Sequence, residues 1–127
     1  MQLVVAKKTR RIICTDHAKG KTHDFKVLKK SRLPLNKKTG LKLDSGYQGV
    51  ERLYAGSQVP KKGSKHKPLT TADKAANRKL AKERVAVEHV IVKIKVFKIM
   101  AEWYRNRRTK HTLRAKIICG IYNYELP

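Results

Sequence analysis

Thirty-two lysines and arginines stand against only nine aspartates and glutamates, so each carboxylate of this chain calls for a reason. Asp44 is the most informative. It follows the short run Leu41-Lys-Leu and precedes Ser45-Gly46. The end of a rigid strand beside an open loop is where α/β folds expose functional groups. An aspartate there also builds turns with its own side chain, and spacing alone leaves both roles open. Glu88 is the second candidate. With Arg84 and Lys95 it lies at i−4, i and i+7 of a helical pattern, within one broad face. Val87, Ile91 and Ile94 border that face, so Glu88 is expected at the core boundary. A carboxylate beside basic groups suits a metal ion with a phosphate close by, whereas an Arg84–Glu88 helix ion pair is the simpler alternative. Asp16 and Asp24 are weaker, since Asp24 near a helix start satisfies the dipole. His23 and His89 flank acids, but no serine or cysteine nucleophile stands beside either, which argues against triad chemistry. Gly20-Lys21 lacks the upstream glycine of a P-loop. Cys14 and His17 have ligand-like spacing, yet no second pair completes a zinc site.

Several elements must position these groups. Gln2–Ala6 and Arg11–Thr15 are apolar runs separated by Lys7-Lys-Thr-Arg10, which predicts a β-hairpin. Thr22 is expected to cap a helix over His23–Lys30 that turns Phe25, Val27 and Leu28 inward. Leu41–Asp44 reads as a further short strand ending at a glycine turn. Pro60–Pro68 is a basic loop without core residues. Thr70 followed by Asp73 forms a capping box for a helix dense in good helix formers over Ala72–Glu88. Val87, Val90, Ile91, Ile94 and Phe97 keep the helical period, but Val90, Val92, Ile94 and Val96 also alternate as in a strand, so this stretch is ambiguous on pattern alone. A last helix is expected over Trp103–Asn123.

With 127 residues, 40% of them apolar, the chain suits one compact domain rather than a disordered tail. The formal charge of +23 exceeds what solubility requires and opposes folding unless a polyanion is present. Nucleic acid is the partner this implies, because each neutralised phosphate releases counterions. The loop cations Lys61, Lys62, Lys65 and Lys67 and the cluster Arg105, Arg107, Arg108, Lys110 and Arg114 are the expected phosphate contacts. Aromatic residues, at 6%, are too sparse for a base-stacking platform. The two cysteines, Cys14 and Cys119, sit in apolar runs and are expected to be buried free thiols of a reducing cytosol. Neither a signal peptide nor a run of membrane-spanning length is legible, so no membrane partner is expected.

Together the motifs Asp44-Ser-Gly-Tyr-Gln-Gly49, Pro60-Lys-Lys, Leu69-Thr, Asn77-Arg, Arg84-Val-Ala-Val-Glu88-His89, Lys95-Val-Phe-Lys-Ile-Met100 and Tyr104-Arg-Asn-Arg-Arg108 occur in this order. The set resembles the C-terminal half of bacterial insertion-sequence transposases of the DDE superfamily, in the group with an Asp-x-Gly-Tyr-x-Gly motif. Gly20-Lys-Thr-His-Asp-Phe25 is similar to that group's Gly-x-x-His-Asp segment. The resemblance implies an α/β, RNase H-like fold, with a mixed sheet (the hairpin plus a further strand) flanked by helices and residues 1–127 as a single partial domain. It also implies that Asp44 is the second catalytic acid and Glu88 the third, both metal ligands, accompanied by Arg84 and Lys95. The signature tyrosine of that group would fall at Ala81 and is absent. The implied cofactor is Mg²⁺ or Mn²⁺, two ions about 3.5–4 Å apart serving phosphodiester cleavage and strand transfer. The bridging acid of that centre lies on the family's first strand, and no Asp or Glu precedes Asp16. The chain opens directly on strand-forming residues, as a segment of a longer domain would. Weak or absent metal binding and little cleavage by these residues alone are therefore expected.

Two other functions fit the same charge: a non-catalytic DNA-binding protein that occupies transposon ends or inhibits the full transposase, and a ribosomal-type basic binder. The ordered acids at 44 and 88 argue against the latter. The expected partners are DNA, as transposon ends and target, and a second copy or an upstream transposase segment; the expected location is the cytoplasm, at the nucleoid.

Overall fold

A computed structural model describes residues 1–18, 22–31, 33–101 and 110–127. The chain divides into two compact units, one formed by Met1–Gly20 with Ala86–Pro127 and the other by Lys21–Val85.

The first unit contains the hairpin. Strand β1 (Gln2–Val5) pairs antiparallel with β2 (Ile12–Asp16), in the register Gln2 opposite Asp16, Leu3 opposite Thr15 and Val4 opposite Cys14. An irregularity between Val4 and Val5 brings Val5 opposite Ile12. β-Branched residues on both strands favour this pairing, and the connection closes through Ala6 N–H to the Arg11 carbonyl at 2.9 Å and Arg10 N–H to the Ala6 carbonyl at 2.8 Å. Arg10 absorbs the reversal with φ of 58°. The core of this unit joins Ile12 to Val90 and Ile94 of helix α2 (Thr71–Ile94) and to Ile118, Cys119 and Tyr122 of helix α4 (His111–Glu125). Leu3, Val5, Ile99, Met100 and Leu126 pack around it. Asn123 fastens α4 to β2 at two points: its Oδ1 accepts the Ile12 amide and its Nδ2 donates to the Ile12 carbonyl, both at 2.8 Å. A two-stranded sheet leaves backbone groups open along its edges, and this amide closes one pair of them.

The second unit contains helix α1 (Asp24–Lys30), two short 3-10 turns (Ser45–Tyr47 and Val50–Arg52) and the start of α2. Val27, Leu28, Val50 and Leu80 are buried there. The cap of α1 is His23, whose Nδ1 accepts the Phe25 amide at 3.3 Å, rather than Thr22 as the sequence suggests. At the head of α2 the capping box forms as expected: Asp73 N–H donates to Thr70 Oγ1 at 3.2 Å, and Thr70 N–H to Asp73 Oδ2 at 3.4 Å.

The architecture is mixed α/β, with a two-stranded antiparallel sheet among the described residues. The further strand expected at Leu41–Asp44 is reduced to a parallel bridge between Lys42 and Gln58. Gln58 N–H reaches the Leu41 carbonyl at 2.7 Å and Leu43 N–H the Gln58 carbonyl at 3.0 Å. Pro60, two residues beyond Gln58, lacks an amide hydrogen to extend the ladder. The ambiguous stretch is helical through Ile94 and turns at Lys95. Phe97 lies beyond that end and is exposed, not a core residue. A short helix, α3 (Lys98–Ala101), follows. Of the last helix expected over Trp103–Asn123, residues 103–109 fall outside the described residues and the remainder is α4.

Candidate functional site

Asp44 caps the 3-10 turn that follows it, with Oδ1 accepting the Ser45 amide at 2.6 Å. Its side chain is nevertheless 61% exposed, so turn formation and availability to a ligand coexist in one residue. Two ion pairs tie this segment to α2 within the second unit. Arg84 Nη1 lies 3.5 Å from Asp44 Oδ1, and Lys42 pairs with Glu83. Arg84 thus engages Asp44, where a helix ion pair with Glu88 was the simpler sequence expectation. Adjacent residues on one helix meet alternate residues of the facing segment, which fixes the direction in which the Asp44 turn leaves the bridge.

Tyr47 and Asp24 join this group. The phenol of Tyr47 has its pKa pushed up to about 12, first by burial and then by the negative charges of Asp24 and Asp44, with Arg84 acting in the opposite sense. Asp24 opens α1, and a β-carbon placed at Gly46 would come within 4.0 Å of Asp24 Oδ2. The histidine-aspartate pair at 23 and 24 therefore splits its roles: His23 caps the helix, while the Asp24 carboxylate faces the motif turn. In the sequence, Asp24 was a weaker candidate acid with a dipole role and a place in the Gly-x-x-His-Asp segment; its neighbour at the motif turn lies some twenty residues away and carried no local signal.

Glu88 is on α2 in the first unit and is exposed rather than at the core boundary. Lys95 is exposed in the turn that ends α2, and its amide donates to the Ile91 carbonyl at 3.0 Å. Asp16 ends β2 and accepts the His17 amide at 2.7 Å. Both cysteines are free; Cys119 is buried and Cys14 partly so, and burial pushes both thiols up in pKa, away from the nucleophilic thiolate. Among the described residues, no group of three histidine, cysteine, aspartate or glutamate side chains is placed to hold a metal ion. Among the described residues, Asp44 has the Arg84 guanidinium as an ionic neighbour.

Lys61, Lys62, Lys65 and Lys67 are all exposed on the basic loop. Lys61 differs from the others, because its Nζ lies 2.7 Å from Asp73 Oδ1. This contact and the capping bonds hold the Asp73 carboxyl below its usual range. Lys110 is exposed at the head of α4, and Arg114 is half-buried on it. Arg105, Arg107 and Arg108 lie outside the described residues. No described helix is long and apolar enough to cross a membrane.

A family model described as DDE superfamily endonuclease matches residues 1–123. A probable transposase for insertion sequence element IS702 from Microchaete diplosiphon is 42% identical over 125 residues, covering 98% of this chain and 45% of that protein. The chain thus spans less than half the length of this relative. No solved structure matches it. Endonucleases of this superfamily generally use divalent metals. With nearly every residue inside the match, and with the exposed Asp44 and its Arg84 partner set in the motifs described above, the chain belongs to the DDE superfamily endonucleases.

Proposed function

We propose that these residues form the C-terminal part of a transposase catalytic domain with an RNase H-like fold, serving cleavage and strand transfer of DNA at transposon ends. The observation that carries the reading is the exposed Asp44 carboxylate on its glycine turn, tied to Arg84, in a chain whose family match runs over residues 1–123. In this reading Asp44 and Glu88 are the second and third acids, Arg84 and Lys95 accompany them, and Mg²⁺ or Mn²⁺ is the cation. Two of the family's three acids are assigned within these residues, and no Asp or Glu precedes Asp16. DNA, as transposon ends and target, is the polyanion that offsets the +23 charge. A second copy of the chain, or an upstream transposase segment, is the protein partner, and the work takes place in the cytoplasm at the nucleoid. The family match favours this reading over a non-catalytic basic protein.

The DNA-binding part is tested by titrating a mixed-sequence duplex against salt. If about six phosphates are neutralised, affinity falls on the order of 10³-fold from about 50 to 200 mM salt. A flat response removes the electrostatic basis of the proposal.

A further inference from the structure

The basic loop Pro60–Pro68 has the composition of a floppy segment, yet it is fastened at several points within the second unit. Asn77, on the second turn of α2, grips the backbone of Lys61 with both ends of its amide. Its Oδ1 accepts the Lys61 N–H at 2.9 Å, and its Nδ2 donates to the Lys61 carbonyl at 3.0 Å. Lys61 Nζ bonds Asp73 Oδ1 at 2.7 Å, one helical turn before Asn77. From the other side Gln48, within the Asp44 motif, donates from Nε2 to the Pro60 carbonyl at 2.8 Å. The loop also closes on itself. Ser64 N–H reaches the Lys67 carbonyl at 2.9 Å, while Lys67 N–H reaches the Ser64 carbonyl at 3.2 Å and Ser64 Oγ at 3.0 Å. Gly63 packs closely on Leu69; a β-carbon there would sit 3.2 Å from Leu69 Cγ and 3.3 Å from its amide nitrogen.

This arrangement separates the four lysines. Lys61 spends its ammonium on Asp73, whereas Lys62, Lys65 and Lys67 stand exposed on a backbone of fixed shape. We infer that the loop is a preformed phosphate-binding projection for duplex DNA, in which Lys62, Lys65 and Lys67 make the contacts and Asn77 is the positioning residue that holds the loop ready. Fixing a loop in its bound shape removes the ordering penalty from binding, so a neutral side chain with no phosphate contact controls affinity. Gln48 holds the adjoining Pro60 carbonyl from the motif side, so the projection and the Asp44 turn are joined through Pro60. The inference rests on the DNA-binding reading proposed above.

The test is a double-mutant cycle on the full chain with a mixed-sequence duplex DNA, measured over a salt series. Asn77→Ala leaves the charge unchanged and replaces asparagine by a better helix former, so α2 keeps its fold. It is expected to weaken binding about tenfold at every salt concentration without changing the salt slope. Lys62→Ala, Lys65→Ala and Lys67→Ala together are expected to reduce the slope by about 2 to 3, at roughly 0.9 per phosphate lost. Adding Asn77→Ala to that triple variant is expected to change affinity by less than about twofold, because the positioned contacts are already gone. Amide exchange at Lys61, slow in the parent and fast in Asn77→Ala, reports the opened latch independently of DNA. If the parent shows no salt-dependent DNA binding, the reading beneath the inference fails; if the parent binds and the triple lysine variant keeps the same affinity and slope, the loop does not touch DNA and the inference itself fails. If that variant responds but Asn77→Ala binds as the parent does, or loses as much in both backgrounds, the positioning role alone is overturned.

Discussion

Removing the Asn123 amide measures how firmly α4 holds the hairpin. In Asn123→Ala the Ile12 amide and carbonyl lose the two 2.8 Å bonds that the side chain gives them. Each neutral bond contributes about 0.5–1.5 kcal/mol, and a buried group left without any partner loses about 1–3 kcal/mol. Ile12 is only 6% exposed, so water replaces the amide poorly. The two bonds together place the loss at about 2–4 kcal/mol, a large share of the roughly 5–15 kcal/mol that stabilises an ordinary domain. Asn123→Asp retains an acceptor for the amide and loses the donor, so it should fall between parent and alanine variant. Asn36→Ala is the control, because Asn36 Oδ1 accepts only the exposed Lys38 amide at 3.0 Å. Its expected loss is about 0.5 kcal/mol or less. Urea unfolding followed by far-ultraviolet circular dichroism gives all three values. If Asn123→Ala loses no more than Asn36→Ala, the two-point attachment is not a source of stability and the reasoning is wrong.

Three further outcomes follow from the same contacts. Both ring nitrogens of His17 are buried without a hydrogen-bond partner among the described residues, and its ring meets that of His111 edge-on at 5.0 Å. Burial, and then the positive N-terminus, hold its pKa down to about 4 from 6.5, so its contribution to stability is complete above pH 6.5 and is lost as pH falls toward 4; urea midpoints of the parent should decline across that window, and the decline should shrink in His17→Phe. Tyr47 behaves oppositely, its pKa rising from 10 to about 12, so the stability it contributes is complete below pH 10 and fades as pH climbs toward 12; Tyr47→Phe should flatten that alkaline loss in the same assay. In a Mg²⁺- or Mn²⁺-dependent nicking assay on transposon-end DNA, these 127 residues alone should show no turnover, and turnover abolished by Asp44→Ala would contradict that.

Local patterns carried the helices well. The Thr70–Asp73 box and the run of good helix formers over Ala72–Glu88 involve neighbours within a turn or two and form as the sequence implies, whereas Val90–Ile94, ambiguous on pattern, is helical. The hairpin was legible for a similar reason, since its strands are close in the chain and rich in β-branched residues. The Leu41–Asp44 stretch was over-read, because a strand requires a partner along its length and Gln58 supplies only a bridge. His23 displaced Thr22 as cap through a ring nitrogen, a choice that propensity does not rank first. In the candidate site, the motif acid Asp44 was visible from its strand-end setting, but its ionic partner was not. Arg84 has Glu88 one turn away in sequence and meets Asp44 instead, a contact set by packing forty residues apart. Asn77 stood out only as part of the Asn77-Arg motif and Asn123 not at all, because each clasps a backbone segment distant in the chain and an asparagine's amide gives no periodic signal.

The most direct measurement is Mn²⁺-induced broadening of backbone amide resonances with these residues joined to an upstream transposase segment that carries the remaining acid, in the parent sequence and in Asp44→Asn. The account predicts that amides around Asp44 broaden in the parent and that Asp44→Asn relieves them. Broadening that spares the Asp44 turn, or that survives the substitution, would contradict Asp44 as a cation ligand.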